Sequence, residues 1–364
     1  MDGETPQQVR RLVEWQPPLG VLSLYLKFDP GDRSGAWRTE LRNGLAEVLE
    51  GDRGRDHETL VALRATGERI SERFANHDAD LPRGEVGFVE VSAKPGREEW
   101  RSSAVAPDVS LPVAFGERPL VAPLMSMLAR GAPRGVALLS GERVRLLQWA
   151  PRRLDELHAW ELSVFSLDWR ERKAATVADP SRGQAVSTSG HDRFDARLRE
   201  NRHRFLGECG KLARLVAPVR AWGELVLFGS AEERREFERG FGTGEGIELS
   251  CGADADLVSE PADRVEQAIE AAAARLDAAR ELHLVERALG ESQGGVRGAL
   301  GPDEVQAALA ESRVESLVID AARAAECEPM VKTALESGAS VATILGEAAD
   351  RLAPCGGSAA VLRY

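Results

Sequence analysis

The sequence predicts an α/β protein in three domains. Three observations carry this: a chain of 364 residues, β-type and helical patterns alternating along its whole length, and three separate clusters of such patterns. The domains are expected at 1–118, 119–277 and 278–364.

In the first domain, VLSLYLKF (21–28) is apolar, broadly alternating and reads as a strand. Asp29-Pro30-Gly31-Asp32 is a turn. Two helical patterns follow at 36–50 and 56–76, separated by Gly51-Asp52-Arg53-Gly54. Further β-type segments lie at 85–91, 103–106 and 109–115. In the second domain, PLVAPLMSMLAR (119–130) reads as a short apolar helix. GVALLSGERVRLLQWA (135–150) reads as a hairpin turning at Ser140-Gly141-Glu142-Arg143. A long helix over 190–216 opens with Ser189 and Asp192, which place an acceptor and a carboxylate at its positive end. Phe194, Leu198, Phe205, Cys209, Leu212 and Val216 recur at helical spacing as its buried stripe. A strand at 222–229, a charged helix at 231–240 and a strand at 246–250 complete a mixed sheet. The run Gly240, Gly242, Gly244, Gly246 has no strand before it and reads as a loop, not a nucleotide cradle. Trp149, Trp160, Trp169 and Trp222 read as core aromatics. In the third domain a long Ala/Leu/Arg/Glu helix (261–289) leads through the glycine-rich QGGVRGALG (293–301) to a helix at 302–312 with Pro302 in its first turn. A strand (314–320), a helix (328–337), a β-like run (340–345), a helix (346–352) and a final apolar run (358–364) follow.

Bulk composition excludes several classes. No run of eighteen apolar residues spans a membrane, and the polar N-terminus lacks a secretory core, so a cytoplasmic protein is expected. Cys209, Cys251, Cys327 and Cys355 have neither disulfide-framework nor zinc spacing, and the six His have no metal spacing. No metal, cofactor, membrane or DNA partner is expected. The charge pattern is more specific. The chain carries a formal −12, yet residues 170–214 hold eleven Lys/Arg against six Asp/Glu. That basic island contains Gly183-Gln184 in a small-residue loop, followed by Arg193, Arg197, Arg199, Arg202, Arg204 and Lys211 on the long helix. Arginine's planar fork suits phosphate. The competing reading is a solvated helix laced with i,i+4 ion pairs, each worth only ~0.3–0.5 kcal/mol.

Three segments, in order, resemble the archaeal and eukaryotic class-1 release factor and Pelota superfamily, especially its bacterial branch. The first is Gly183-Gln184, then Arg193-Phe194, Arg197-Leu198-Arg199 and Arg202-His203, which follow the family's GGQ loop and Arg-rich helix. The second is LGPDEVQAALAESRVESLVID (300–320), and the third the terminal GGSAAVLRY (356–364). The resemblance implies an RNase H-like middle domain and a C-terminal domain related to kink-turn-binding ribosomal proteins. It also implies ribosomal RNA and tRNA as partners. A translational GTPase such as elongation factor Tu is a further partner it leaves open.

The departures are Arg182 in place of the first glycine of GGQ, a longer spacing from Gln184 to Arg193, and no stop-codon motif in the first domain. A decoding role is therefore not implied. Two roles remain: a hibernation or protection factor occupying the A site, or a peptidyl-tRNA hydrolase rescuing stalled ribosomes. In the second role Gly183 would permit close backbone approach and the Gln184 amide would orient a water. Whether the chain is an enzyme stays open. Arg182 and Arg297 join the helix arginines as expected RNA contacts. A non-ribosomal protein-interaction module is the third alternative.

Overall fold

The computed structural model describes residues 6–28, 35–51, 55–75, 83–103, 105, 113–162, 169–171, 188–243, 246–293 and 297–364. The architecture is mixed α/β with three sheets. Contacts group the chain into two compact units, Met1–Ala132 with Asp277–Tyr364, and Pro133–Leu276.

The first sheet is entered by α1 (Pro6–Val13) and built from β1 (Val21–Lys27), β2 (Gly84–Glu90), β3 (Glu98–Ser103) and β4 (Val113–Gly116), in the antiparallel order β3-β2-β1-β4. Helices α2 (Ala36–Glu50) and α3 (His57–Ala75) intervene between β1 and β2. Burying only one face of β1 would require strict alternation, but six of its seven residues are buried. Leu22, Leu24 and Leu26 pack under α2 and α3 with Trp37, Leu41, Leu63, Ile70 and Phe74. Val21 and Tyr25 face a different core, shared with α4 (Ala122–Gly131) and with residues of the third sheet.

The second sheet holds β5 (Arg134–Leu139), β6 (Arg143–Ala150), β7 (Arg153–Leu162), β8 (Trp169–Glu171), β9 (Glu224–Phe228) and β10 (Glu248–Cys251). Its order is β10-β9-β5-β6-β7-β8, with β5, β9 and β10 parallel and the β5–β8 side antiparallel. This is the mixed sheet expected of the middle region. The hairpin foreseen at 135–150 is its centre, but β7 and β8 extend it beyond what the sequence indicated. Helices α5 (Thr188–Val219) and α6 (Ala231–Phe241) belong to this unit, and Ala137, Leu139, Leu225 and Leu227 pack with α5 and α6 side chains. Val136, Leu138, Val226 and Phe228, on the opposite face, pack on the first half of α7 (Ala262–Gln293). At the sheet's end, Arg134 on β5 and Glu224 on β9 form an ion pair at 3.1 Å, each side chain 6% exposed. Ser250 Oγ donates to the other Glu224 oxygen at 2.6 Å.

The third sheet, β11 (Gly298–Leu300), β12 (Val314–Asp320), β13 (Ser340–Ile344) and β14 (Ser358–Leu362), runs β11-β14-β12-β13. Helices α8 (Gly301–Ala310), α9 (Ala324–Glu336) and α10 (Gly346–Leu352) link its strands. The glycine-rich stretch expected as a loop contains β11, because its backbone pairs antiparallel with β14. Gly356 and Gly357 have φ of 72° and 75°, a consecutive left-handed pair that turns the chain into β14. That geometry accounts for the glycines of the terminal motif.

Arg134→Met should destabilise the fold by about 3–5 kcal/mol, because it leaves a buried carboxylate without its counter-charge. Arg134→Met combined with Glu224→Leu should recover most of the loss. Chemical denaturation of the three proteins checks this, and equal loss in single and double variants would contradict it.

Candidate nucleic-acid interface

The site is organised by α5, thirty-two residues long. Phe205, Leu206, Cys209, Ala213 and Ala217 bury its inner face, with Leu212 and Val216 at the margin. The expected stripe holds at Phe205 and Cys209; Leu198, Leu212 and Val216 are only partly buried, the Phe194 side chain lies outside the described residues, and Leu206, Ala213 and Ala217 complete the buried face. Burial pushes the Cys209 thiol far above its ordinary value, so it is an inert packing group.

Helix α6 lies against α5 with almost no side-chain spacer. A Cβ at Gly240 would sit 1.9 Å from the Gly207 carbonyl oxygen, and one at Gly210 would sit 2.2 Å from that of Phe237. Gly240 is therefore a helical contact residue, not part of the loop read from the glycine run. The α6 N-terminus is fixed by a reciprocal capping box between Ser230 and Glu233.

Beside this contact the two helices leave an open cleft of about 750 Å³. Arg199, Arg204, Lys211 and Arg239 line it together with Glu200, Glu208, Glu232 and Glu236. Most of its cations are already paired. Lys211 lies 2.7 Å from Glu208, Arg239 2.8 Å from Glu236, and Arg204 3.9 Å from Glu200. His203 Nε2 is 2.9 Å from Glu232, so His203 bridges to α6.

The expected basic residues separate into distinct sets. Arg202 leaves the cleft side altogether: its guanidinium pairs with Glu142 and packs over Gly141 in the β5–β6 turn. Arg204 and Lys211 are paired within α5. Arg197 and Arg199 are exposed and have no ion-pair partner among the described residues. Arg193 lies on α5, but its side chain falls outside the described residues, as do Arg182, Gly183 and Gln184. Arg297 is exposed just before β11, where its carbonyl accepts from Leu362 N at 2.8 Å. The structure thus brings Arg199, Arg204 and Lys211 to one cleft and leaves Arg202 and Arg297 outside it. Sequence reasoning missed Arg239, whose place on the cleft depends on the α5–α6 packing. The available signal was the spacing of Gly207 and Gly210, three apart on one helix face.

Exposed pairs of this kind are worth about 0–1 kcal/mol. Arg204 and Glu200 are 71% and 73% exposed, so Arg204 can exchange its partner for a phosphate at little cost. Among the described residues no cluster of His, Cys, Asp and Glu could hold a metal ion. No described helix is long and apolar enough to cross a membrane. Of the four expected core aromatics, Trp149, Trp160 and Trp222 are buried, and the Trp169 side chain lies outside the described residues.

Residues 119–244 match bacterial archaeo-eukaryotic release factor family 10. The matched segment contains α4, β5–β9, α5 and α6, and with them the whole cleft. The resemblance seen in the sequence to the bacterial branch of the release factors is the one this match finds. Among solved structures, an archaeal translation termination factor, aRF1, is 18% identical, covering 98% of this chain and 96% of its own, with a TM-score of 0.27. Archaeoglobus fulgidus Pelota is 14% identical, covering 100% and 94%, with a TM-score of 0.34. S. cerevisiae Dom34 is 10% identical, covering 77% and 80%, with a TM-score of 0.42. At such identities and scores these whole-chain similarities add no argument to the family-10 match. No curated protein matches significantly.

Gly240→Leu should lower stability by about 1–3 kcal/mol or more, because the helices must separate to admit the side chain. Gly290→Ala in α7, where an added Cβ meets nothing within 4 Å, should be neutral or mildly stabilising. Thermal unfolding of both variants distinguishes tight helix contact from general helix propensity, and similar shifts would refute the contact.

Proposed function

We propose that the protein is a cytoplasmic, ribosome-associated translation factor that presents α5 to ribosomal or transfer RNA. In this reading it is a non-decoding occupant of the A site that protects idle ribosomes. The observation that carries the reading is the exposure of Arg197 and Arg199, without an ion-pair partner among the described residues, on the Arg-rich helix of the segment that matches family 10. Exposed guanidinium groups can turn to phosphates at little cost. Arg182 and Arg193 continue the basic run in the sequence, and Arg297, exposed before β11, is an accessory contact. The chain's overall −12 disfavours indiscriminate adhesion to RNA, which leaves recognition to this local surface. We assign this work to a middle domain at 119–277, flanked by domains at 1–118 and 278–364.

Co-sedimentation with purified ribosomes tests the reading. Binding should weaken steeply from low to moderate salt as phosphate contacts release counterions. Arg197→Glu with Arg199→Glu should weaken binding about tenfold or more and flatten the salt dependence, because two phosphate contacts become repulsive. Unchanged binding would return α5 to a solvated helix.

A second reading rests on the retained Gly183-Gln184 pair: hydrolysis of peptidyl-tRNA on stalled ribosomes, delivered by a translational GTPase such as elongation factor Tu. Peptide release from defined ribosomal complexes separates the two. The protective reading expects no release by the wild type. Release that Gln184→Ala abolishes, with binding intact, would establish the hydrolase instead.

A further inference from the structure

The α5–α6 cleft sets four carboxylates against four strong cations in about 750 Å³, a volume of the order that takes a nucleotide-sized ligand. A surface built for phosphate alone would exclude the carboxylates, which repel a polyanion. Three of them are matched by a cation: Glu200 by Arg204 at 3.9 Å, Glu208 by Lys211 at 2.7 Å and Glu236 by Arg239 at 2.8 Å. Glu232 differs. Its Oε1 meets His203 Nε2 at 2.9 Å, and no Lys or Arg pairs with it among the described residues. An ionised carboxylate only accepts, so Nε2 is the donor. That bond crosses from α5 to α6 and fixes one oxygen of Glu232, while Oε2 has no hydrogen-bond partner among the described residues. The side chain is 69% exposed, so a ligand can reach that oxygen. Arg199 stands four positions before His203, one turn back on the same face of α5 and about 6 Å along its axis. It is exposed and has no ion-pair partner among the described residues. The cleft thus keeps one donor fork and one charged acceptor that its own pairs do not use.

We propose that Arg199 and Glu232 select RNA over DNA, Arg199 holding a phosphate and Glu232, positioned by His203, accepting the 2′-hydroxyl of the same strand. The inference rests on the reading of α5 as an RNA contact and adds the sugar to what is recognised. A DNA strand offers phosphate oxygens but no sugar donor. Glu232 then faces only acceptors, and its charge repels them. An RNA strand brings one hydroxyl donor with each nucleotide, and that hydroxyl distinguishes the two sugars. A charged acceptor bonds it more strongly than a neutral one does. The three matched pairs keep the rest of the cleft near neutrality, so general attraction for polyanions does not mask the preference.

Fluorescence anisotropy of the full chain with a short single-stranded RNA, its DNA counterpart and its 2′-fluoro counterpart, all at one salt concentration, tests this. The fluoro strand keeps the RNA sugar pucker but has no hydroxyl to donate. The wild type should bind RNA about fivefold or more tighter than DNA, with the fluoro strand close to DNA. Glu232→Ala, checked for native circular dichroism, should bring the RNA-to-DNA ratio close to one. Removing a negative charge tightens both strands, and the ratio cancels that gain. His203→Ala should narrow the ratio, because Glu232 loses its hold. Arg199→Ala should weaken RNA and DNA alike. Equal, salt-sensitive binding of all three strands, a ratio unmoved in Glu232→Ala or His203→Ala, or unchanged affinity in Arg199→Ala would overturn the proposal and leave the RNA reading of α5 standing. Failure of the RNA strand to bind also overturns it. Ribosome sedimentation under the same conditions then shows whether the broader reading falls with it.

Discussion

The central strands are covered on both faces, and that constraint shapes the rest of the molecule. β1, β5, β9 and β14 are almost wholly buried, so each sheet needs two apolar layers. The chain meets the demand by sharing. Tyr25 and Phe88 on one face of the first sheet join a core that also contains Leu309, Leu317 and Val331 of the third sheet's region. Helix α7 offers Val265 and Ile269 to the second sheet and Val285 and Ala288 to the third. Burying an apolar side chain is worth about 1.5–3 kcal/mol, so covering elements cannot be discarded cheaply. Three sheets thereby become two compact units.

Charge is handled differently in the core and at the surface. The Arg134–Glu224 pair and the Glu328 carboxyl are enclosed, where leaving either partner unmatched is expensive. On α5 the described pairs are solvated and weak, and Arg197 and Arg199 have none among the described residues. Interior charges therefore specify arrangement, while surface charges stay available for exchange. The acidic residues threaded through the basic helix, Glu200 and Glu208, hold Arg204 and Lys211 without committing them.

Much of the fold was legible from period and punctuation. VESLVID and GEAADRL were delimited to the residue. β7 was not legible, for two physical reasons. A bulge between Leu146 and Leu147 leaves Leu157 as an extra residue in β7 and disrupts the two-residue period. Its outer face also carries charges such as Glu156 and Glu161, paired across to β6, which dilute the apolar signal. The site was legible in composition but not in arrangement. Arg202 and Arg204 are alike in sequence, and only the position of the β5–β6 turn diverts Arg202 to Glu142. Glu328 on α9, which accepts from Val121 N and Ala122 N at the start of α4, could not be read as a cap, since that helix terminus is distant in the chain.

The anchorage of α5 has a mechanical consequence. The helix is gripped at Gly207 and Gly210 by backbone contact and pinned at Arg202 by the β5–β6 turn. From Arg202 back to Thr188 it runs fourteen residues, about 21 Å at helical rise. Taken as a rigid rod, it moves at its far end with any tilt at that grip. A tilt of a few degrees at the glycine contact, too small to disturb the core, sweeps the far tip through about 1–2 Å, comparable to the tolerance of a hydrogen bond. The bare glycine surfaces thus govern aim as well as packing, since a single added methyl at that grip redirects everything the helix carries.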